Sequence, residues 1–228
     1  MLFNKEKYSV DVFALCYNEE HILQKFIDHY KDNFNANITF YDNESSDSST
    51  NIMVDNNCNF VSYYTGGKFD EISQLAIKNQ CWKQSTADFV IVCDVDEFLE
   101  VNCNIENCTL IKTIGFDMIG NLDSRMGVYN SLYSKYIMFS PKHIKEINYN
   151  AGCHTCNPIG SIVENTLPAT LLHRKYISEK HIIKRYNNFS KRNSEANRQS
   201  GYCLHYDIES NKQIYDMFEE MRKNAIYI

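Results

Sequence analysis

Apolar positions in the first hundred residues switch repeatedly between two periods. Residues 8–16 form a β-branched and aromatic run that stops at Tyr17 and Asn18. Residues 19–30 then carry Ile22, Leu23, Phe26, Ile27 and Tyr30 on one helical face, with Asn18 where an N-cap belongs. A second strand is expected over 37–41, leading into a polar turn over 42–49 and a short helix over 50–56. A third strand over 59–64 meets a turn at Gly66 and Gly67, and 70–82 returns to helical spacing through Ile72, Leu75, Ala76 and Trp82. Residues 89–93 read as the fourth strand, which delivers Asp94 at its carboxyl end. Strand and helix patterns in this order predict an α/β fold around a mostly parallel sheet.

Beyond residue 100 the signal weakens. Strands are expected over 110–120 and 135–139, and an apolar strand ends near His173, while 159–168 fits either state. Residues 179–189 predict a basic amphipathic helix with Ile182, Ile183, Tyr186 and Phe189 inward. A last helix over 211–225 carries the stripe Ile214, Met217, Phe218 and Met221. No repeat, Pro-rich linker or low-complexity tract marks a boundary, so one domain over 1–228 is expected.

Composition narrows the function. Lys and Arg total 23 against 29 Asp and Glu, a net charge of −6, which disfavours general nucleic-acid binding. The cluster Arg174, Lys175, Lys180, Lys184, Arg185, Lys191, Arg192 and Arg198 instead suits an anionic ligand in the C-terminal third. The start of the chain lacks an apolar signal-peptide core, so the nine cysteines are expected as thiols in a reducing, cytoplasmic setting. No apolar run reaches the roughly 20 residues of a membrane span, leaving at most peripheral membrane contact. Cys153, His154 and Cys156, with Cys103 and Cys108 upstream, hint at zinc, but a second CxxC or HxxxH half is missing.

The chemistry concentrates at DVDEF, positions 94–98. In extended backbone, Asp94 and Asp96 would point to the same side. Glu97 follows, and three adjacent carboxylates after a buried strand would repel one another without a cation. Mg²⁺ or Mn²⁺ prefers such hard oxygen ligands. In open α/β sheets, ligands gather at the carboxyl ends of the strands, where this cluster falls.

Four segments resemble the family 2 glycosyltransferases of the GT-A fold, particularly a bacterial type with a DxDEF motif: FALCYNEE at 13–20, FYDNESSDSS at 40–49, ADFVIVCDVDEFL at 87–99, and LLHRKYISEKHIIKRYNNFSKRNSEANRQSGYCLHY at 171–206. Where the family's turn commonly has Gly, this chain has Glu44. The resemblance implies a Rossmann-like domain with a nucleotide-binding half over 1–100 and an acceptor-binding half over 101–228. It implies inverting, metal-dependent transfer from a nucleotide-sugar donor, UDP-linked on family grounds, to a glycan or lipid-linked acceptor, as in polysaccharide biosynthesis. Asn18, Glu19, Asp42 and Asp94 would contact the nucleotide-sugar, and Arg174 and Lys175 its diphosphate. Asp94 and Asp96 would bind the metal, with His173, or failing it His154, as a further ligand. The catalytic base is sought among Asp117, Glu97, Asp123 and Glu164, with Asp117 and Glu97 ahead.

Two other enzymes share parts of this pattern. A nucleotidyltransferase would show a Gly-rich loop after the first strand, which ALCYNEE lacks, and a haloacid-dehalogenase-type phosphatase would carry its DxD after the first strand rather than mid-chain. A non-catalytic nucleotide-sugar or glycan-binding module on the same fold is the remaining alternative.

Overall fold

A computed structural model describes residues 3–208 and 210–228. In chain order the elements are β1 Val10–Cys16, α1 Glu20–Phe34, β2 Asn37–Asp42, α2 Ser49–Asp55, β3 Asn59–Ser62, α3 Glu71–Gln80, β4 Phe89–Asp94 and β5 Glu97–Glu100. There follow β6 Leu110–Ile111, β7 Thr113–Ile119, β8 Met126–Tyr129, β9 Met138–Phe139, β10 Ile144–Glu146, β11 Ile159–Gly160 and β12 Ala169–Tyr176. The chain closes with α4 Glu179–Arg192, α5 Glu195–Gln199, α6 Asn211–Asn224 and β13 Ile226–Tyr227.

The fold is mixed α/β. One sheet has the order β3-β2-β1-β4-β9-β6, in which β1 to β4 are parallel and β9 and β6 join antiparallel. Its β1 is buried on both faces: Val12, Ala14 and Cys16 pack with α1 through Ile22, Phe26 and Tyr30, while Phe13 packs with Trp82, Val92 and Phe139. A second sheet, β13-β8-β7-β12-β5, pairs β12 parallel to β7 and antiparallel to β5. Tyr30 ties α1 to β5, donating its hydroxyl to the Glu97 carbonyl at 2.9 Å and accepting from the Leu99 N–H at 3.2 Å. A third cluster seats α4 and α6 through Ile182, Tyr186, Ile214 and Phe218.

Several elements differ from the sequence expectations. Helix α1 continues past Tyr30 to Phe34, which keeps the i+4 register of the buried face, and stops at Asn35 in the left-handed region. Its N-cap is Glu19 rather than Asn18. Asn18 sits at φ 54, and its Oδ1 accepts from the Ser46 N–H at 2.7 Å, stitching the first loop to the second. Glu44, standing where a Gly was expected, also takes a positive φ of 56 and points to solvent, so the turn keeps a conformation that favours glycine. The strand expected over 110–120 is broken at Lys112, whose N–H and carbonyl both bond the Asn165 side chain, so β6 and β7 enter different sheets.

The clearest reversal is α3. Its apolar spacing predicts Ile72 and Ala76 inward, yet both are exposed, and Glu71 and Lys78 are the buried residues. The helix faces a polar cavity, so the charged stripe is the inner one. All nine cysteines are free thiols, and no group of three or more His, Cys, Asp or Glu side chains among the described residues is arranged to hold a metal on its own. Cys153 lies in the core beside Trp82, and His154 Nδ1 pairs with the Leu132 carbonyl at 2.7 Å, which disposes of the zinc arrangement. Among the described residues, no helix is long and apolar enough to cross a membrane.

Candidate active site

Strand β4 ends at Asp94, and the chain turns through Val95 and Asp96 into β5 of the other sheet. The extended-strand argument for Asp94 and Asp96 therefore does not apply, but the turn brings both to the same place. Val95 goes into the core, while Asp94 and Asp96 line one cavity with Tyr17, Glu19, Lys78, Tyr133, His173 and Arg185. It lies beyond the carboxyl ends of β1 and β4, where an open parallel sheet collects ligands.

Three protein cations meet the three carboxylates of the motif. Lys78 Nζ donates to Asp94 Oδ1 at 2.7 Å, Lys135 Nζ to Glu97 Oε1 at 2.6 Å, and Arg185 Nη2 to Asp96 Oδ2 at 2.7 Å. The repulsion that seemed to demand an external ion is thus relieved internally. Asp96 shows the effect most strongly: burial alone would raise its carboxyl, but Arg185 and then His173 hold it well below the usual carboxylate range. Asp94 is likewise lowered, Lys78 and then Lys135 overcoming its burial. Glu19 goes the other way; burial pushes it up to about 7 despite Arg185, whose Nη1 donates to it at 3.3 Å.

His173 is fixed by sheet register. Strand β12 pairs it with Asp117 of β7 on one side and Glu97 of β5 on the other, so the three side chains form a row across neighbouring strands. Asp117 Oδ1 accepts from His173 Nδ1 at 2.6 Å, and Asp117 Oδ2 accepts from Asn130 Nδ2 at 2.7 Å. The other ring nitrogen, Nε2, faces Asp96 Oδ2 at 3.2 Å. Tyr133 stacks on the imidazole with ring centroids 3.7 Å apart. Burial would lower the histidine, yet Asp96 and Asp117 raise it.

The sequence candidates separate accordingly. Glu19, Asp94, Asp96, His173 and His154 line the cavity. Between the two histidines stands Tyr133, stacked on His173 and edge-on to His154 at 5.7 Å, so His154 approaches through that ring rather than joining Asp96. Asn18 lines an adjoining pocket with His21, Asp47 and His181. Asp42 is buried and does not line the cavity; its carboxylate accepts from the Ser45 N–H at 3.0 Å and hydroxyl at 2.6 Å, as in an Asx turn. Arg174 faces the other side of β12, over Phe98 and toward the Ser124 carbonyl. Lys175 lies behind Tyr206, caged by the rings of Tyr176, Tyr186 and Tyr206, and its burial lowers the amine to about 8.

Neither leading candidate for the base is placed to reach a substrate. Glu97 is 1% exposed, bound to Lys135 and to the Asp94 N–H at 3.1 Å, and Asp117 has both oxygens engaged. Both act as supports for the cavity wall. Asp123, paired with Lys25, and Glu164, which accepts from Tyr136, lie elsewhere on the exposed surface.

Lys78, Lys135 and Tyr133 were not anticipated from the sequence, and Arg185 stood out only as one member of the basic cluster in the C-terminal third. A signal existed for Arg185 alone: it shares the inward face of α4 with Ile182, Tyr186 and Phe189, at the i, i+3, i+4, i+7 spacing. A charge inside an apolar stripe has a partner to meet.

Fold and cavity together define an α/β protein with an acidic and histidine-bearing cleft at the end of its parallel strands. No family model matches the chain, and no curated protein matches it in sequence. Among solved structures it is similar to glucosyl-3-phosphoglycerate synthase from Mycobacterium tuberculosis in complex with Mn²⁺, UDP and glucosyl-3-phosphoglycerate, at 18% identity over 49% of this chain and 45% of that one, TM-score 0.32. It is similar to S. aureus TarS 1–349 at 12% identity over 81% of this chain and 65% of that one, TM-score 0.42. It is also similar to a mannosyltransferase from Pyrobaculum calidifontis in complex with GDP-Man and Mn²⁺, at 12% identity over 47% and 36%, TM-score 0.34. The chain thus spans less than two thirds of the length of each of these.

Proposed function

We propose that the chain is a GT-A glycosyltransferase that moves a sugar from a nucleoside diphosphate-sugar, UDP-linked on family expectation, to a hydroxyl of a glycan or lipid-linked acceptor. One observation carries the proposal. Asp94 and Asp96 line the same cavity, and among the described residues Asp94 Oδ2 and Asp96 Oδ1 have no protein hydrogen-bond donor.

These residues fit a divalent ion held in partnership with substrate. Asp96 Oδ2 and His173 Nε2 are 3.2 Å apart, close to the roughly 3 Å that separates adjacent ligands around a cation with bonds of about 2.1 Å. Asp117 fixes the outer nitrogen of the imidazole, the usual arrangement behind a histidine ligand. Among the described residues fewer than three such protein groups converge, which suits an ion that completes its shell with phosphate oxygens and water. Bound Mg²⁺ or Mn²⁺ would stabilise the negative charge that gathers on the departing diphosphate.

Charge balance supports the same conclusion. The cavity wall carries Lys78, Lys135, Arg185 and Arg192 against Glu19, Glu71, Asp94 and Asp96, four of each sign. Lys78, Lys135 and Arg185 are already paired with Asp94, Glu97 and Asp96, so a divalent ion would supply the positive charge that a diphosphate needs. Within this frame Lys78 orients Asp94, Asp117 and the stacked Tyr133 ring fix the position of His173 Nε2, and Tyr17, with Arg192 packed on its ring, lines the cavity.

Purified protein incubated with UDP-, GDP- and dTDP-sugars should release nucleoside diphosphate from at least one donor only when Mn²⁺ or Mg²⁺ is present. Release of pyrophosphate from a nucleoside triphosphate and a sugar phosphate would instead support a nucleotidyltransferase. Metal-dependent binding of a donor with no turnover, in the presence of glycan and lipid-linked acceptors, would favour the binding module.

A further inference from the structure

We propose that Arg185 is the resident counter-ion of the metal site and changes partners when the site loads, leaving Asp96 and Glu19 for the diphosphate of the incoming nucleotide. The inference rests on the reading of the site given above. Arg185 Nη2 lies 2.7 Å from Asp96 Oδ2, the oxygen that also faces His173 Nε2 at 3.2 Å. A guanidinium and a divalent ion cannot share that oxygen without strong mutual repulsion. An ion seated between Asp96 Oδ2 and His173 Nε2 therefore favours withdrawal of Arg185 from that oxygen.

The side chain is built to find a new partner close by. Its Nη1 bonds Glu19 at 3.3 Å, and its Nε is buried with no partner among the described residues. A buried donor without an acceptor is uncommon and points to a ligand not yet present. The guanidinium lies 5.1 Å from the centre of the Phe189 ring, a flat support along which it can turn while staying within the cavity. Its planar fork suits paired phosphate oxygens better than a lysine would. Helix α4 holds the residue in place: Arg192, two turns further on, packs on the Tyr17 ring and donates to Asn43 Oδ1 at 2.8 Å.

Two consequences follow from a shared oxygen. Metal alone must compete with Arg185 and should bind weakly; a nucleoside diphosphate gives the arginine another partner, so metal and nucleotide should assist each other. The test is manganese binding to the full chain, followed by the spin-resonance signal of free Mn²⁺, with and without UDP, GDP or dTDP. Arg185→Gln should bind Mn²⁺ alone about tenfold more tightly than the wild type, because Asp96 loses its competing cation, yet bind the nucleoside diphosphate with Mn²⁺ about tenfold more weakly. Arg185→Lys keeps the charge and serves as the control for folding: Mn²⁺ alone should bind as in the wild type, with only the diphosphate step weakened. Unchanged or weaker Mn²⁺ affinity in a folded Arg185→Gln protein, while the wild type binds metal and nucleotide together, would overturn the counter-ion role alone. Absence of any Mn²⁺ uptake by the wild type, with or without nucleotide, would overturn the metal site itself and this inference with it.

Discussion

Replacing Asp96 by Asn should lower nucleotide-sugar turnover by on the order of a thousandfold while leaving the protein folded. Asp96 is where the metal-site residues meet: its Oδ2 faces both Arg185 and His173, and its Oδ1 has no hydrogen-bond donor among the described residues. Asn keeps the shape but removes the charge that would hold a divalent ion. Part of the loss should appear in the pH profile of His173, because Asp96 is the leading influence raising that imidazole against its burial. With Asp96 gone, the imidazole should deprotonate at lower pH, which nuclear magnetic resonance of the ring protons would report. Turnover within about tenfold of the wild type, with an unchanged His173 titration, would remove Asp96 from the chemistry.

Lys135→Met should produce the largest loss of stability. The side chains of Lys135 and Glu97 are each 2% exposed and joined at 2.6 Å, so removing the lysine strands a carboxylate inside the protein. Breaking such a buried pair from one side costs about 3–5 kcal/mol, or on the order of 10 °C in melting temperature for a chain of this size. Adding Glu97→Gln should recover much of that loss, because the amide oxygen can still accept the Asp94 N–H while the stranded charge is gone. A single variant melting within about 2 °C of wild type would mean that the pair contributes little. Recovery in the double variant separates an electrostatic cost from a packing one.

The parallel half of the fold was legible because its strands and helices have distinct periods. Strands β1, β2 and β4 and helix α1 emerge near the expected positions, since each buries a regular set of apolar residues, while β3 emerges there too although all four of its residues are exposed. Much of the part beyond residue 100 was not, because β6, β9, β11 and β13, spread over three sheets, are two residues each and carry no period to read. Helix α3 misled for a different reason: burial there follows the cavity, so Lys78 and Glu71 turn inward and Ile72 faces water. Asp94, Asp96 and His173 could be picked out by residue type and place in the chain. Their support could not, because it depends on register across separate strands: nothing local in the sequence says that Asp117, His173 and Glu97 fall side by side. The same limit explains the choice of Arg174 and Lys175 over Arg185. Adjacent basic residues on a strand face opposite sides, and neither of these lines the cavity, whereas Arg185, which does, is eleven positions beyond Arg174, on a helix.

Isothermal titration of UDP, GDP and dTDP into the wild-type protein, with Mn²⁺ present and after its removal by chelation, tests the metal-nucleotide site most directly. At least one of the three should bind with Mn²⁺ and lose at least about a hundredfold in affinity without it, the loss expected when a cavity whose Lys78, Lys135 and Arg185 are already paired with carboxylates must take a bare diphosphate. Equal affinity with and without the metal, or no binding of any of the three, would contradict the account.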